Sequence, residues 1–318
     1  IFQFSFGYIT VTYGDAVNGR KMEVPQVIPN IGFNHEKTAQ AELELIPLSR
    51  LYSDHTINHD PQQPHRVSFF MIIFIEQGSG THMVDFEDYP FRRGSVLFVQ
   101  REQVHAFDFS NQPQGTAVLF TQAFLDNVHA NMRLPNYTPT HLNKAHSALL
   151  ALDETHCDRT LNLLSQIRVE LSDQNTDPLI VMYLFSALAL VLHRLRPEVK
   201  QDQLNPQQSI KFARYFELLE SHYLRVRDAN WYANQINTTY KTLNQICKVA
   251  TGLTAKQIID SFTVLEMKRQ LVVTSITSQK MASDFGFDDA SNFVKYFKNH
   301  TSMTPSEFQK KYAKPSLS

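Results

Sequence analysis

Two clusters of side chains in this chain have the types and spacing to read the edges of base pairs. Tyr240, Lys241, Asn244, Gln245 and Lys248 recur at intervals of one, three and four, which gathers them on one helix face, with Leu243, Ile246 and Cys247 on the other. A carboxamide such as Asn244 or Gln245 can bind adenine in bidentate fashion, and a lysine can donate to guanine O6 and N7. Ala290, Ser291, Val294, Lys295 and Lys298 make the second cluster, opposite Phe293, Tyr296 and Phe297. There Ala and Val can meet thymine methyls. Lys248 and Lys298, late on their helices, are placed for phosphate rather than base.

Such faces matter only if the fold pushes each helix into a groove. Met281–Pro305, MASDFGFDDASNFVKYFKNHTSMTP, has the layout for it. Ala282 is small enough to let two short helices cross, Phe285 and Phe287 follow three and five residues on, Asp288-Asp289 make a polar turn, and an aromatic-basic helix comes next. A weaker copy lies about fifty residues upstream, with Ala233, Ile236, Thr238 and Thr239 ahead of Tyr240. Trp231 and Tyr232, just before it, are expected in the core. Two helix-turn-helix units in tandem imply a protein that docks on duplex DNA.

The pattern resembles the AraC/XylS family of transcription regulators over about residues 209–312. Ala233, Ile236, Thr238, Thr239, Leu243 and Gly252 match that family's first unit. Met281, Ala282, Gly286, Phe287, Asp289, Ser291, Phe293, Phe297, Lys298 and Thr304-Pro305 match the second. Three positions depart from it: Ser302 stands where the family usually has Gly, and Val264 and Lys268 where the connecting helix usually has Arg and Ala.

A different chemistry is on offer nearer the start. His59, His65, His82 and His105 all fall in a strand-rich region with Glu87 nearby. Gly94, Gln100 and His105 are spaced like the second half of a cupin motif, but the H-x-H pair of a metal-binding cupin is missing: His65-Arg66-Val67-Ser68 stands instead. Imidazole ligands need convergence and supporting partners, so no metal and no cofactor is expected. The region resembles the sensory cupin that precedes such a DNA-binding domain in the same family. A small barrel can enclose one small-molecule effector, with His65, Arg66, Phe70, His105 and Phe107 as its expected handles and walls. The competing reading is a metal-dependent cupin enzyme fused to a DNA-binding tail, which a bound metal would distinguish.

At 318 residues and 42% apolar, the chain has the size of about two globular domains. Its net charge of −1 conceals a division: residues 1–205 carry 15 Lys+Arg against 22 Asp+Glu, and residues 206–318 carry 15 against 9. Only the basic back is suited to phosphate. Cys157 and Cys247 are far apart in apolar contexts, so no disulfide is expected and a reducing cytoplasm fits. Neither suits a DNA-repair alkyl acceptor, which needs an activated thiol. The opening IFQFSFGYITVTYG alternates like a strand and lacks the basic stretch of a signal peptide.

Strands are expected at Val67–Glu76, Thr81–Phe86, Ser95–Val99, Ala106–Phe109 and Thr116–Thr121, and helices at Ser147–Leu152, Thr160–Leu171 and Leu179–Leu195. The apolar run Pro178–Leu192 is too short to span a membrane comfortably; it is expected to be buried against the barrel or at a subunit interface, and a homodimer through it would have Leu184 and Leu188 central. The fold class that follows is α+β. A cupin-like β-barrel (1–140) leads through a helical dimerisation segment (141–199) and a linker (200–208) to an all-α domain with two helix-turn-helix units (209–318). The expected function is ligand-responsive transcription regulation, with double-stranded DNA, a small-molecule effector, RNA polymerase and a second copy of the chain as partners.

Overall fold

The computed structural model describes residues 30–33, 42–53, 60–132, 147–195, 204–273 and 276–312. The opening strand-like segment, His59 and residues 200–203 of the expected linker lie outside them. The N-terminal half runs β1 (Asn30–Ile31), β2 (Leu43–Pro47), α1 (Leu48–Ser53), β3 (His65–Val67), β4 (Phe70–Gln77), β5 (Ser79–Val84) and β6 (Glu87–Arg92). It continues with β7 (Ser95–Val99), β8 (Val104–Phe107), β9 (Gln114–Phe120), α2 (Gln122–Met132), β10 (Leu149–Ala151), α3 (Glu154–Ser172) and α4 (Pro178–Arg194).

These strands form two five-stranded sheets, ordered β1-β3-β8-β5-β6 and β10-β7-β4-β9-β2, antiparallel except where β1 meets β3. Val67, Val84, Phe91 and Phe107 of the first sheet pack against Met71, Ile73, Ile75, Leu97 and Leu119 of the second. The second sheet is covered on its other face as well. Phe70, Ile72, Phe74, Val118 and Phe120 meet α2, α3 and α4 through Phe124, Ile167 and Phe185. A strand buried on both faces reads as an unbroken apolar run, which is why VSFFMIIFIE shows no alternation.

That run is not one strand. The chain breaks at Ser68-Phe69, where the Ser68 amide donates to the Ile31 carbonyl at 3.0 Å, so β3 stays in the first sheet and β4 enters the second. The region expected as a cupin-like barrel is thus built of two facing sheets, and among the described residues no strand pairs across them. Ser147–Leu152, expected as helix, contains β10, the antiparallel neighbour of β7. Pro90 sits in β6, an edge strand, where a missing N–H costs no ladder bond.

The C-terminal half is helical: α5 (Pro206–His222), α6 (Ala229–Gln235), α7 (Tyr240–Thr251), α8 (Ala255–Val273), α9 (Ser278–Asp284), α10 (Ala290–Thr301) and α11 (Pro305–Tyr312). Asn205 and Gln208 close a capping box around Pro206, a proline at the start of the helix, and so fix where α5 begins. There are two cores. Phe212, Tyr215, Tyr232, Leu243 and Ile259 build one, and Met267, Phe285, Phe293, Phe297 and Phe308 the other. Each fully buried phenylalanine of the second contributes roughly 1.5–3 kcal/mol. Helix α8 runs through both cores and joins the two units. Among the described residues no helix is long and apolar enough to cross a membrane.

Candidate functional site

The two helix-turn-helix units are the same device built twice. In the first, Ala233 is buried between α6 and α7, and its carbonyl accepts from the Thr238 amide at 3.0 Å. In the second, the Ala282 carbonyl accepts from the Phe287 amide at 2.8 Å. The chain turns by a left-handed residue four places after each alanine, Asn237 with φ 50° and Gly286 with φ 67°. Thr239 then caps α7 by accepting from the Thr242 amide, and Asp289 caps α10 by accepting from the Asn292 amide. Both helices end on a second left-handed residue, Gly252 (φ 75°) and Ser302 (φ 61°).

On α7, Tyr240, Lys241, Gln245 and Lys248 are exposed, while Leu243, Ile246 and Cys247 are buried, as the spacing implies. Asn244 is half-buried, and its side-chain oxygen accepts from the Ala255 amide at 2.9 Å, which ties α7 to the first turn of α8. On α10, Ser291, Lys295 and Lys298 are exposed and Phe293 and Phe297 fully buried; Ala290 and Val294 are half-buried. Tyr296 is half-buried, and its hydroxyl donates to Asp260 on α8 at 2.8 Å. Tyr232 is buried and Trp231 half-buried against the first core, as expected.

A brace joins the two units. Arg227, in the loop before α6, lies 3.9 Å from the centroid of the Phe287 ring and donates to the Phe285 carbonyl. One cation therefore holds the turn of the second unit to the loop that opens the first. The Tyr296–Asp260 bond adds a second tie, between α10 and the helix both units share.

In the N-terminal half three histidines converge. His65 on β3 pairs across the sheet with His105 on β8, ring centroids 4.1 Å apart, and His82 on β5 lies 5.3 Å from His105 and 4.5 Å from Phe107. All three are buried. His65 Nδ1 is 2.9 Å from the Gln63 carbonyl, whereas neither ring nitrogen of His82 has a hydrogen-bond partner. Burial, and then the neighbouring His65, push His82 down to about 3, so it is neutral at pH 7. Phe107 stacks on Phe109 beside the cluster, with centroids 4.9 Å apart.

Of the residues expected to line a ligand site, His65, His105 and Phe107 are brought together. Arg66 and Phe70 are not. Arg66 alternates away from His65 and pairs with Glu102 at 3.3 Å and with Glu266 of α8 at 3.6 Å. Phe70 faces the helical layer and stacks on Phe120. His82 is not among the residues expected to line the site; the signal for it is period-two burial along β5, where His82 and Val84 turn inward and Thr81 and Met83 less so. Among the described residues no group of three or more His, Cys, Asp or Glu side chains is arranged to hold a metal ion. Both cysteines are buried, and desolvation pushes both thiols above their ordinary range.

Comparison with known proteins gives the same division of the chain. Residues 47–189 match the AraC-like ligand binding domain family, and residues 232–311 match a helix-turn-helix domain family. The HTH-type transcriptional activator RhaS of Pectobacterium carotovorum subsp. carotovorum is 24% identical over 262 residues, 79% of this chain and 90% of that one. RhaS of Yersinia pestis is 22% identical over 246 residues, 77% and 88% of the two chains. A solved structure of ToxT from Vibrio cholerae covers 86% of this chain and 100% of its own, at 12% identity and a TM-score of 0.45. With both domain families matched in this order and relatives aligned along most of their length, the chain belongs to the AraC/XylS family of transcription regulators.

Proposed function

We propose that the chain is an effector-responsive transcription regulator that binds duplex DNA as a homodimer, the histidine cluster seating the effector and α7 and α10 reading the operator. The observation that carries the DNA reading is the pair of exposed stripes, Lys241-Gln245-Lys248 and Ser291-Lys295-Lys298, each on a capped helix that follows a helix-turn-helix crossing. Lys241, Gln245 and Lys295 are assigned to base edges, and Lys248 and Lys298 to phosphate. Tyr240 and Ser291 stand at the helix starts, where base contact is easiest. Such a regulator works beside RNA polymerase in the cytoplasm. A binding selection from randomised duplexes with the full chain should return an asymmetric half-site whose two read segments lie about one helical turn (~34 Å) apart. Selected duplexes without a shared sequence would end this reading.

For the effector, His82 supports the assignment best, because a buried imidazole with two unsatisfied nitrogens is costly unless something hydrogen-bonds it. Among the described residues no arginine joins the cluster, since Arg66 is engaged elsewhere, and that favours an uncharged polar effector over an anion. The enzyme alternative requires a metal. About one equivalent of zinc, iron or manganese per chain, lost on His65→Ala or His105→Ala, would promote it.

For the dimer, α4 supplies the surface. Leu188 is only 1% exposed and belongs to the chain's own core, with Leu184 packed partly against it, so neither is the contact first expected. The large apolar residues that α3 and α4 leave exposed are Val169 on the former and Leu179, Ile180, Tyr183 and Leu190 on the latter. A self-complementary patch of this kind suits a two-fold dimer. Tyr183→Asp or Leu190→Asp should sediment as a monomer while keeping its helical content; an unaltered chain that is monomeric at tens of micromolar, with and without DNA, would remove the dimer.

A further inference from the structure

The turn that closes the β5–β6 hairpin works against its own backbone preference. Val84 pairs with Glu87, so Asp85 and Phe86 make a two-residue loop, and both have positive φ, 48° and 72°. Such a loop most readily takes Asn-Gly or Asp-Gly. A phenylalanine in its second position is strained and persists where the surroundings over-determine it.

Those surroundings belong to the C-terminal half. The Phe86 ring lies edge-on to Phe308 at 5.1 Å and to Tyr312 at 4.9 Å, both on α11. Beside it the Asp85 carboxylate accepts Arg269 Nε at 2.9 Å and Arg269 Nη2 at 2.7 Å, a bidentate pair reaching from α8. Gln103 Nε2 and the Val104 amide donate to the same carboxylate at 2.7 and 3.2 Å. Arg269 is buried and also donates to Glu266; Glu266 holds Arg66, and Arg66 holds Glu102. Charges of alternating sign thus cross from one half of the chain to the other. The strands that present them carry the histidines. His65 precedes Arg66, His105 follows Val104, and His82 lies three residues before Asp85.

We propose that the Asp85-Phe86 turn is a latch: it clasps α8 and α11 against the N-terminal sheets, and an occupant of the histidine cluster releases it by shifting β5 and β8. The inference rests on the effector reading above. The exposed faces of α7 and α10 stay free with the latch closed, so it does not mask DNA. It fixes how the second unit is oriented on the sensory half, and therefore which separation of half-sites a dimer can span.

Two variants of the full chain test this. Phe86→Gly suits the turn better than the native residue and removes the aromatic plug. Asp85→Asn keeps the shape and the tolerance for a left-handed backbone and removes the charge. In both, amide hydrogen exchange over residues 266–272 and 305–312 should speed up by about tenfold or more, with the β5–β6 hairpin still protected. Affinity for a single half-site should hold, and the range of half-site spacings bound tightly should widen. Should Phe86→Gly loosen its own hairpin, Asp85→Asn decides. Unchanged exchange, or an unchanged spacing preference, would overturn the latch. Absence of sequence-specific binding by the unaltered chain would count against the proposed function instead, while the exchange result still judged the latch.

Discussion

The two helix-turn-helix units meet one backbone demand with opposite residues. Each needs a left-handed residue in the turn and another after the recognition helix. The first unit uses Asn237 and then Gly252, the second Gly286 and then Ser302. Glycine takes that conformation without a steric penalty, asparagine with little, and serine with more. Gly286 also has little choice, since an added Cβ would stand 3.1 Å from the Leu224 carbonyl oxygen, whereas one at Gly252 would meet nothing within 4 Å. Glycine is therefore held by packing in one unit and by conformation alone in the other.

The outward faces offer the largest effects with which to break this equivalence. Gln245→Ala should relax base preference at one end of a half-site and Lys295→Ala at the other, each by about 1–3 kcal/mol of discrimination in a binding selection. Relaxation at the same position by both would mean that the units do not read separate segments.

Acid should next separate the units from the sensory half. His82 titrates near 6.5 when unfolded and at about 3 when folded, so its contribution is complete above pH 6.5 and is lost as pH falls toward 3. At pH 5 the N-terminal half should have lost about 2 kcal/mol, read from denaturant unfolding followed separately for each half. His82→Leu should flatten that loss and leave the C-terminal half unmoved.

Within the units, Gly286→Ala should destabilise by about 1–2 kcal/mol or more, and Gly252→Ala by less, because only the former adds a contact to the left-handed penalty. Equal losses in thermal melts would show that the Leu224 contact relaxes freely. The smallest effect is a gain: Ser302→Gly should stabilise by about 0.5 kcal/mol, with relief of strain partly offset by greater freedom in the unfolded chain. Asn237→Gly should gain less.

The C-terminal half was legible because its signals are local. Ala233, Ala282 and the aromatic spacing fix the crossings within about twenty residues, and the structure buries Leu243, Phe293 and Phe297 as that spacing implies. In the N-terminal half the decisive contacts lie far apart in sequence. His65, His82 and His105 come from three strands, and Asp85 meets Arg269 across 184 positions. Parity decided the rest: one residue separates inward His65 from outward Arg66. For Phe70, on a strand apolar on both faces, alternation could not say which way it points. Helix α4 hid its free side for the same reason, being apolar nearly all round.

The bond from Asn244 to the Ala255 amide limits how this regulator's lineage can acquire new operators. A side chain that anchors the next helix cannot be exchanged at will for one that suits a different base. On the reading proposed above, drift in the first unit's preference is thus channelled through Lys241 and Gln245, which are exposed and whose changes leave the start of α8 intact. On α10, Ser291 and Lys295 are exposed and carry no such obligation to a neighbouring helix among the described residues, so on the same reading that end of the operator is free to diverge first.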